Sequence, residues 1–258
     1  MRLCLSIAAI AASLLVTPAA MGAQMAPAII GGKTVTDSYD FMTSLDHDKK
    51  FFCGGSLVAP GWVLTAAHCV TDTGQNGESI PRSPQGVTAR IGSDDRTAGG
   101  STATVKQIVV NPGHKGSAAD LALLRLDHAV PNKPAGLSAD PEPPQDRSAR
   151  AIGWGRTNES TQDIPQKLQE ISTRIVPGDR CTTDMDRNRN FCAEGAVPGT
   201  SACEGDSGGP QIRGREGDWE LIGVTSGPAD NDGKCSTGYG QWTKVESYRD
   251  WINTTIRG

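Results

Sequence analysis

A serine enclosed by glycines is the strongest chemical signal in this chain of 258 residues. Ser207 lies in the run Gly-Asp-Ser-Gly-Gly-Pro at 205–210, where glycines allow a tight backbone turn and leave the hydroxyl without bulky neighbours. The backbone N–H groups of Gly205 and Ser207 can converge on a developing oxyanion. The sequence therefore predicts a nucleophilic serine with an oxyanion hole beside it.

Two further segments supply what such a serine needs. A serine hydroxyl is a weak nucleophile, so a base must take its proton and a third group must orient the base. His68 lies in Thr-Ala-Ala-His-Cys (65–69), and Asp120 begins Asp-Leu-Ala-Leu-Leu (120–124). Taken singly, the three could be a turn serine, a packed histidine and a helix-capping aspartate, but together they favour a catalytic triad. The other histidines lack such a context and are predicted to be surface residues: His47, His114 and His128.

The elements that must position these residues are predicted to be strands. The chain contains 31 glycines and 16 prolines, and its apolar residues fall into short runs between turn signals. This pattern favours an all-β sandwich or barrel over alternating strand–helix units. The predicted strands are Gly55–Val58, Trp62–Thr65, Val87–Ile91, Thr102–Val110, Leu121–Leu126, Ala149–Trp154, Leu168–Ile175, Pro210–Ile212, Glu220–Thr225 and Gly240–Val245.

One helix is predicted, at the C-terminus. Tyr248, Trp251 and Ile252 recur there at helical spacing, and Ser247 can cap the start. The most proline-rich stretch, 131–145, lies near the middle of the chain. A linker between two similar halves would lie in such a stretch.

The first 28 residues are predicted to lie outside the fold. Arg2 supplies a positive start, and 3–16 form an apolar run shorter than the roughly 20 residues that span a bilayer. Small residues then offer cleavage points between Gly22 and Ala28. This pattern is typical of a secretory signal peptide, followed by a short propeptide if signal cleavage precedes Ala28; a retained membrane anchor is the alternative.

Export changes the interpretation of the cysteines. One of the seven, Cys4, leaves with the signal, and an even number in an exported protein predicts three disulfides with fifteen possible pairings. No C-x-x-C or H-E-x-x-H motif is present, and the loop with Asp94 and Asp95 has no matching distal carboxylate, so no metal or other cofactor is predicted. The cysteines that remain are Cys53, Cys69, Cys181, Cys192, Cys203 and Cys235.

Several segments in register resemble the trypsin/chymotrypsin family of secreted serine endopeptidases. They keep the order His, Asp, Ser across essentially the whole chain after the signal. The α/β-hydrolase esterases also use these three residues, but in the order Ser, Asp, His and on a parallel sheet. The matching segments are Ile-Ile-Gly-Gly (29–32), 65–69, 120–124, Gly-Trp-Gly (153–155) and 205–210.

The resemblance implies an all-β fold of two antiparallel six-stranded β-barrels with a C-terminal helix. The first barrel would occupy 29–135 and supply His68 and Asp120, and the second would occupy 136–258 and supply Ser207. The resemblance further implies an extracellular monomer that acts on protein or peptide substrates. The formal charge of −4 argues against a nucleic-acid partner, and no membrane contact is expected once the signal is removed.

The resemblance also implies how the chain is cross-linked and activated. Cleavage before Ile29 would free an amino group that pairs with Asp206 and orders the oxyanion hole. The implied disulfides are Cys53–Cys69, Cys181–Cys192 and Cys203–Cys235.

The residues of the implied primary pocket predict an apolar substrate. Ser201 lies at the pocket base and is followed by Ala202, so a buried cationic side chain would lack a counter-ion. Gly240 is expected to keep the pocket open. These residues favour a chymotrypsin-like preference for large apolar or aromatic side chains at P1, the residue that precedes the cleaved bond.

One departure from the family pattern leaves other specificities open. Ser226-Gly227-Pro228 stands where the family has the Ser-Trp-Gly of its substrate-binding strand, and an acidic loop follows at 230–233. Pro228 removes a backbone donor and could narrow the entrance, which would give an elastase-like preference for small residues. Acids from the loop could instead restore a trypsin-like basic preference. A catalytically silent binding module is a further alternative, although such proteins usually lose the serine or the histidine.

Overall fold

The computed structural model describes residues 29–141, 149–158, 160–181, 185–229, 234–235 and 239–258. The predicted signal at 1–28 and the acidic loop at 230–233 lie outside these residues. Strands make up most of the regular structure in the described part, and one α-helix, α1 (Arg249–Arg257), ends it.

Sixteen strands follow one another along the described residues, several of them only two or three residues long. Their bounds are β1 (Lys33–Thr34), β2 (Met42–His47), β3 (Lys50–Ala59), β4 (Trp62–Thr65), β5 (Thr71–Thr73), β6 (Ser79–Pro81), β7 (Val87–Ile91), β8 (Ser101–Val110), β9 (Ala122–Leu126), β10 (Gly136–Leu137), β11 (Ala149–Gly153), β12 (Gln169–Val176), β13 (Asn190–Gly195), β14 (Pro210–Arg215), β15 (Asp218–Pro228) and β16 (Tyr239–Lys244).

The first barrel is closed and antiparallel, with the strand order β2-β3-β4-β9-β8-β7. Strand β7 and the first part of β8 alternate between buried and exposed residues, as a half-buried sheet requires, whereas β2, β3, β4 and β9 carry runs of buried residues. In β7, for example, Val87, Ala89 and Ile91 are buried while Thr88 is exposed. The hairpin β5–β6 forms a separate two-stranded sheet.

The second barrel is formed by β11, β12, β13, β16, β15 and β14, and the pairing of β12 with β13 closes it. The short strand β1 lies at its edge, with Lys33 opposite Glu170 of β12, although β1 precedes the whole first barrel in the chain. The other short strand, β10, pairs in parallel with β15. Two six-stranded antiparallel barrels with a C-terminal helix are thus confirmed.

Several local expectations differ from the structure, which contains six strands that were not predicted and lacks the expected helix cap; the strands are β1, β2, β5, β6, β10 and β13. The sequence did not predict β2 because Met, Ser, Asp and His are weak strand formers; pairing of Leu45 with Cys53 and Ala89 fixes this strand instead. The expectation that Ser247 caps the helix is wrong. Ser247 lies inside a 3₁₀ turn that precedes α1, and its hydroxyl donates to the carbonyl oxygen of Asn188 at 3.4 Å.

Among the described residues, no helix combines the length and the apolar character that a membrane crossing requires. The single helix α1 has nine residues. Its buried Ile252 joins the large apolar cluster that also contains first-barrel residues such as Leu124.

Candidate active site

Strand pairing in the first barrel brings His68 and Asp120 together. Thr65, the last residue of β4, lies opposite Ala122, the first residue of β9. His68 follows β4 in a 3₁₀ turn and Asp120 precedes β9, so both lie at the same end of this strand pair. Asp120 Oδ2 accepts from His68 Nδ1 at 2.8 Å, and Oδ1 accepts from the His68 backbone N–H at 2.9 Å.

The carboxylate of Asp120 is buried, and several hydrogen-bond donors of the protein surround it. The residue is 1% exposed, and the hydroxyl of Ser226 also donates to Oδ2, at 2.5 Å. Burial alone would raise the pKa of Asp120. The hydrogen bonds and the charge of His68, together with the Ser226 hydroxyl, outweigh burial and lower the pKa below its ordinary value. Asp120 is therefore an anion that orients the imidazole.

Glycines shape the turn that carries Ser207. Gly205 and Gly208 have φ angles of +96° and +75°, a region that side chains disfavour. A Cβ on Gly208 would lie 2.1 Å from Thr65 Oγ1 and 2.6 Å from the carbonyl oxygen of Gly54. Only glycine fits there, because the turn packs directly against the first barrel.

The backbone around Ser207 leaves two N–H groups without acceptors. The N–H groups of Asp206, Gly208 and Gly209 donate to the carbonyl oxygens of Cys203, Thr225 and Asp206. In the part of the chain that the structure describes, those of Gly205 and Ser207 have no such partner. Two unpaired N–H groups on one tight turn can bind a developing oxyanion.

The carbonyl of Ser207 is held against the first barrel, since it accepts from the backbone N–H of Gly54 at 2.8 Å. Its hydroxyl makes no hydrogen bond to any described residue, including His68. His68 Nε2 lies 3.8 Å from Cys69 Sγ, and the imidazole side chain is 38% exposed. The structure therefore places Ser207 and His68 where the two barrels meet, but it shows no hydrogen bond between these two residues.

Three disulfides join the six cysteines in the pairing that the resemblance implies: Cys53–Cys69, Cys181–Cys192 and Cys203–Cys235. The first connects the residue after His68 to the residue before Gly54. Both sulfurs lie close to the imidazole, but metals bind thiolates, and sulfurs in a disulfide are not available as ligands.

Asp206 is buried beside the start of the described chain. Its carboxylate accepts from the backbone N–H of Gly155 at 2.7 Å and of Cys203 at 2.9 Å. Burial, offset only in part by these two hydrogen bonds, raises the pKa of Asp206 to about 7. The N–H of Ile29, itself fully buried, donates to the Gly155 carbonyl at 3.4 Å. Ile29 and Asp206 therefore contact the same residue.

The residues of the predicted primary pocket lie on two paired strands and one loop. Pro228 of β15 lies opposite Gly240 of β16. Ser201 is buried, its N–H donates to the Ile30 carbonyl at 3.2 Å, and its hydroxyl donates to the carbonyl of Cys235. The segment after Ile29 is thus bonded directly to the base of this pocket.

A cleft with a volume of about 320 Å³ adjoins His68. A Cβ on Gly227 would have nothing within 4 Å, so the space where the family has tryptophan is open. The cleft is lined by His68, Gly116, Ser117, Asp120, Ser226, Gly227, Pro228 and Gln241.

Several contacts at the site were not predicted from the sequence. Apart from its place after Cys53, nothing in the sequence marks Gly54 as a partner of Ser207. The sequence predicts that Ser226 binds substrate, whereas its hydroxyl binds Asp120 in the structure. Glu204, next to Gly205, forms an ion pair with Arg156.

Of the predicted surface histidines, His47 and His128 are exposed and His114 is half-buried. The Lys167 ammonium lies 3.6 Å from a carboxylate oxygen of Asp94 and of Asp95.

The chain is similar to known proteases over almost all of its described length. The trypsin family model matches residues 29–252. A trypsin of Phaedon cochleariae is 32% identical, with 87% of each chain covered, and granzyme M of Rattus norvegicus is 32% identical, with 92% of each covered. A CLIP domain-containing serine protease B4 of Anopheles gambiae is 31% identical over 91% of this chain and 72% of its own length.

A solved structure supports the same relationship. Neuropsin, a serine protease expressed in mouse brain, superposes with a TM-score of 0.74 at 27% identity, over 88% of this chain and the whole of the neuropsin chain. The barrels, the serine turn and the sequence matches agree, and the chain is a serine endopeptidase that belongs to the trypsin family.

Proposed function

We propose that this endopeptidase cleaves peptide bonds through Ser207, His68 and Asp120, and that it acts outside the cell. The observation that carries the proposal is the contact between His68 Nδ1 and the buried carboxylate of Asp120. This contact fixes the tautomer in which Nε2 is unprotonated and able to accept a proton.

The proposed reaction begins with attack of Ser207 Oγ on the carbonyl carbon of the substrate. His68 Nε2 takes the hydroxyl proton as the new C–O bond forms, and Asp120 stabilises the resulting imidazolium. The contact between Oγ and Nε2 forms when substrate binds, since catalytic hydrogen bonds are often long in free enzymes.

The unpaired N–H groups of Gly205 and Ser207 support the next step. The tetrahedral intermediate carries its negative charge on the former carbonyl oxygen, and both N–H groups donate to it. The intermediate then collapses, the C–N bond breaks, and the leaving amine takes the proton from His68. Water repeats the sequence on the acyl-enzyme and releases Ser207.

Activation by cleavage before Ile29 is part of the proposal. While Ile29 is linked to Ala28, its nitrogen is a neutral amide, and the partners of the Asp206 carboxylate among the described residues are backbone N–H groups. Cleavage would turn that nitrogen into an ammonium close to a buried carboxylate. Because Ser201 is bonded to Ile30, the same segment would order the base of the pocket.

The proposed substrates are proteins or peptides with an uncharged apolar P1 residue. Ser201 offers no charge to a basic side chain, and its hydroxyl is already bonded to Cys235. Export is supported by three disulfides, which persist in oxidising compartments, and by the predicted signal at 1–28.

A fluorophosphonate reagent tests the function directly. It should modify Ser207 of the enzyme that begins at Ile29, as shown by mass spectrometry of the digested protein, and should abolish peptide hydrolysis. His68→Ala should prevent labelling, whereas His114→Ala should leave it unchanged. Full peptidase activity in a preparation whose Ser207 stays unmodified would refute the proposal.

A further inference from the structure

An indole ring occupies the space beside Gly240 where a side chain would otherwise point. Gly240 and Trp242 are two residues apart on β16, so their side chains point to the same face of the strand. A Cβ built on Gly240 would lie 2.5, 2.7 and 3.3 Å from Cη2, Cζ3 and Cζ2 of Trp242. The opening that glycine leaves is therefore filled by the benzene edge of this indole.

The ring of Trp242 is held firmly in this place. Trp242 is 1% exposed, and its ring lies parallel to that of Phe191, its partner across β13 and β16, with centroids 6.0 Å apart and an angle of 10°. The Phe191 ring packs closely against Gly223 in turn. A Cβ built on this glycine would lie only 2.6 Å from Cζ of Phe191. The buried indole, with Phe191 on one face and Gly240 at its edge, therefore has little room to move aside for a substrate side chain.

The residues around this ring are those of the proposed primary pocket. Ala202 packs against the apolar cluster that contains Trp242 and Phe191. Gly240 lies opposite Pro228 across the ladder of β15 and β16. The indole therefore contacts Gly240 of that pocket and belongs to the apolar cluster against which Ala202 packs.

We propose that Trp242 is a specificity-determining residue that shortens the primary pocket, so that the enzyme cleaves after small aliphatic residues such as alanine and valine in preference to aromatic residues. The inference rests on the proposed function and defines its substrate class. A phenyl ring at P1 would have to enter the space that the indole fills, while a methyl or isopropyl group would stop short of it.

This inference changes the order of preference expected from the sequence. Glycine at 240 predicted an open pocket on the assumption that the space beside it is empty. Nothing in the sequence indicates that the side chain two positions later turns back over the glycine, because that depends on the rotamer of Trp242 and on its stacking with Phe191.

The experiment compares peptides that differ only at P1, with alanine, valine, leucine or phenylalanine. The wild-type enzyme beginning at Ile29 should show a kcat/KM for alanine or valine at least tenfold above that for phenylalanine, within the range that a size misfit produces. Fluorophosphonate labelling of Ser207 in the same preparation gives the concentration of active sites.

Trp242→Phe is the informative variant. Trp242 Nε1 has no hydrogen-bond partner among the described residues, so the substitution removes ring volume without breaking a polar contact. The ratio of kcat/KM for phenylalanine over alanine should rise at least tenfold. Trp62→Phe, on the first barrel, is the matched control and should leave the ratio unchanged. If Trp242→Phe does not fold, Trp242→Tyr takes its place with the same expectation.

The outcomes separate this inference from the proposed function. If Ser207 is labelled but the wild-type enzyme cleaves after phenylalanine as fast as after alanine, the pocket inference is overturned and the function stands. An unchanged ratio in a folded Trp242 variant also overturns it. If Ser207 is not labelled and no peptide is cleaved, the proposed function fails, and the pocket inference fails with it.

Discussion

The backbone N–H of Gly54 donates to the carbonyl oxygen of Ser207 at 2.8 Å, and this bond joins the two barrels at the active site. Gly54 follows Cys53, whose disulfide partner Cys69 follows His68. One hydrogen bond and one disulfide thus fix the position of the nucleophile turn relative to the histidine.

Removing the proposed nucleophile or base should almost abolish turnover. Ser207→Ala and His68→Ala should each lower kcat by about 10⁶-fold, the effect seen when members of a serine-protease triad are removed. The double variant should be little worse than either, because the residues act as a unit. His114→Ala serves as the control. Hydrolysis by purified Ser207→Ala at the wild-type rate would rule out the assignment.

Gly208→Ala should displace the serine turn. The new Cβ would clash with Thr65 Oγ1 and with the Gly54 carbonyl, at a residue whose φ is already positive. We expect the free energy of unfolding to fall by about 3 kcal/mol and kcat to fall by at least about 100-fold. Urea denaturation and steady-state kinetics measure the two effects.

A matched control separates the clash from backbone strain. Gly217 has a φ of +81°, but a Cβ there would have nothing within 4 Å. Gly217→Ala should therefore cost only about 1 kcal/mol and leave kcat unchanged. Equal losses in the two variants would show that the contact with the first barrel does not matter.

The raised pKa of Asp206 predicts how the stability of the uncleaved chain depends on pH. Burial raises this pKa to about 7, above its value in the unfolded chain, so the folded state holds the proton more tightly. The contribution of Asp206 to stability is therefore fully present below about pH 4 and is lost as the pH rises through about 7. A shift of this size corresponds to about 4 kcal/mol.

Asp206→Asn tests this dependence in the chain that has not been cleaved before Ile29. Asparagine cannot ionise, so the difference in unfolding free energy between variant and wild type should move in favour of the variant between pH 5 and pH 8. The exposed Asp163→Asn should show no such change. The expectation fails if wild type and Asp206→Asn respond to pH in parallel.

Ser226→Ala should weaken the orientation of the imidazole without touching the reacting atoms. The hydroxyl donates to Asp120 Oδ2, and its loss should raise the pKa of this carboxyl because burial is then less compensated. We expect kcat/KM to fall about tenfold, as for one hydrogen bond to a charged group, with its acid limb moved to higher pH. Ser117→Ala, in the same cleft but without a bond to Asp120, should leave the pH profile unchanged.

The sequence predicted the residue types of the site better than their contacts. Ser207, His68 and Asp120 stand out because few residue types can perform acyl transfer, and the all-β fold follows from short apolar runs. The pairing of Thr65 with Ala122, the bond from Ser226 to Asp120 and the place of the Trp242 ring follow from long-range strand register and side-chain rotamers. Local patterns carry little information about either.

The crossing of β1 to the far barrel has a consequence for assembly of the whole molecule. Lys33 and Thr34 pair with an edge of the second barrel, while Ile252 of α1 joins an apolar cluster that contains residues of both barrels. Strand β1, at the start of the described chain, thus packs on the second barrel, and α1, at its end, packs in the cluster that both barrels share. Because these contacts link the two barrels, we expect the barrels to unfold together as one cooperative unit.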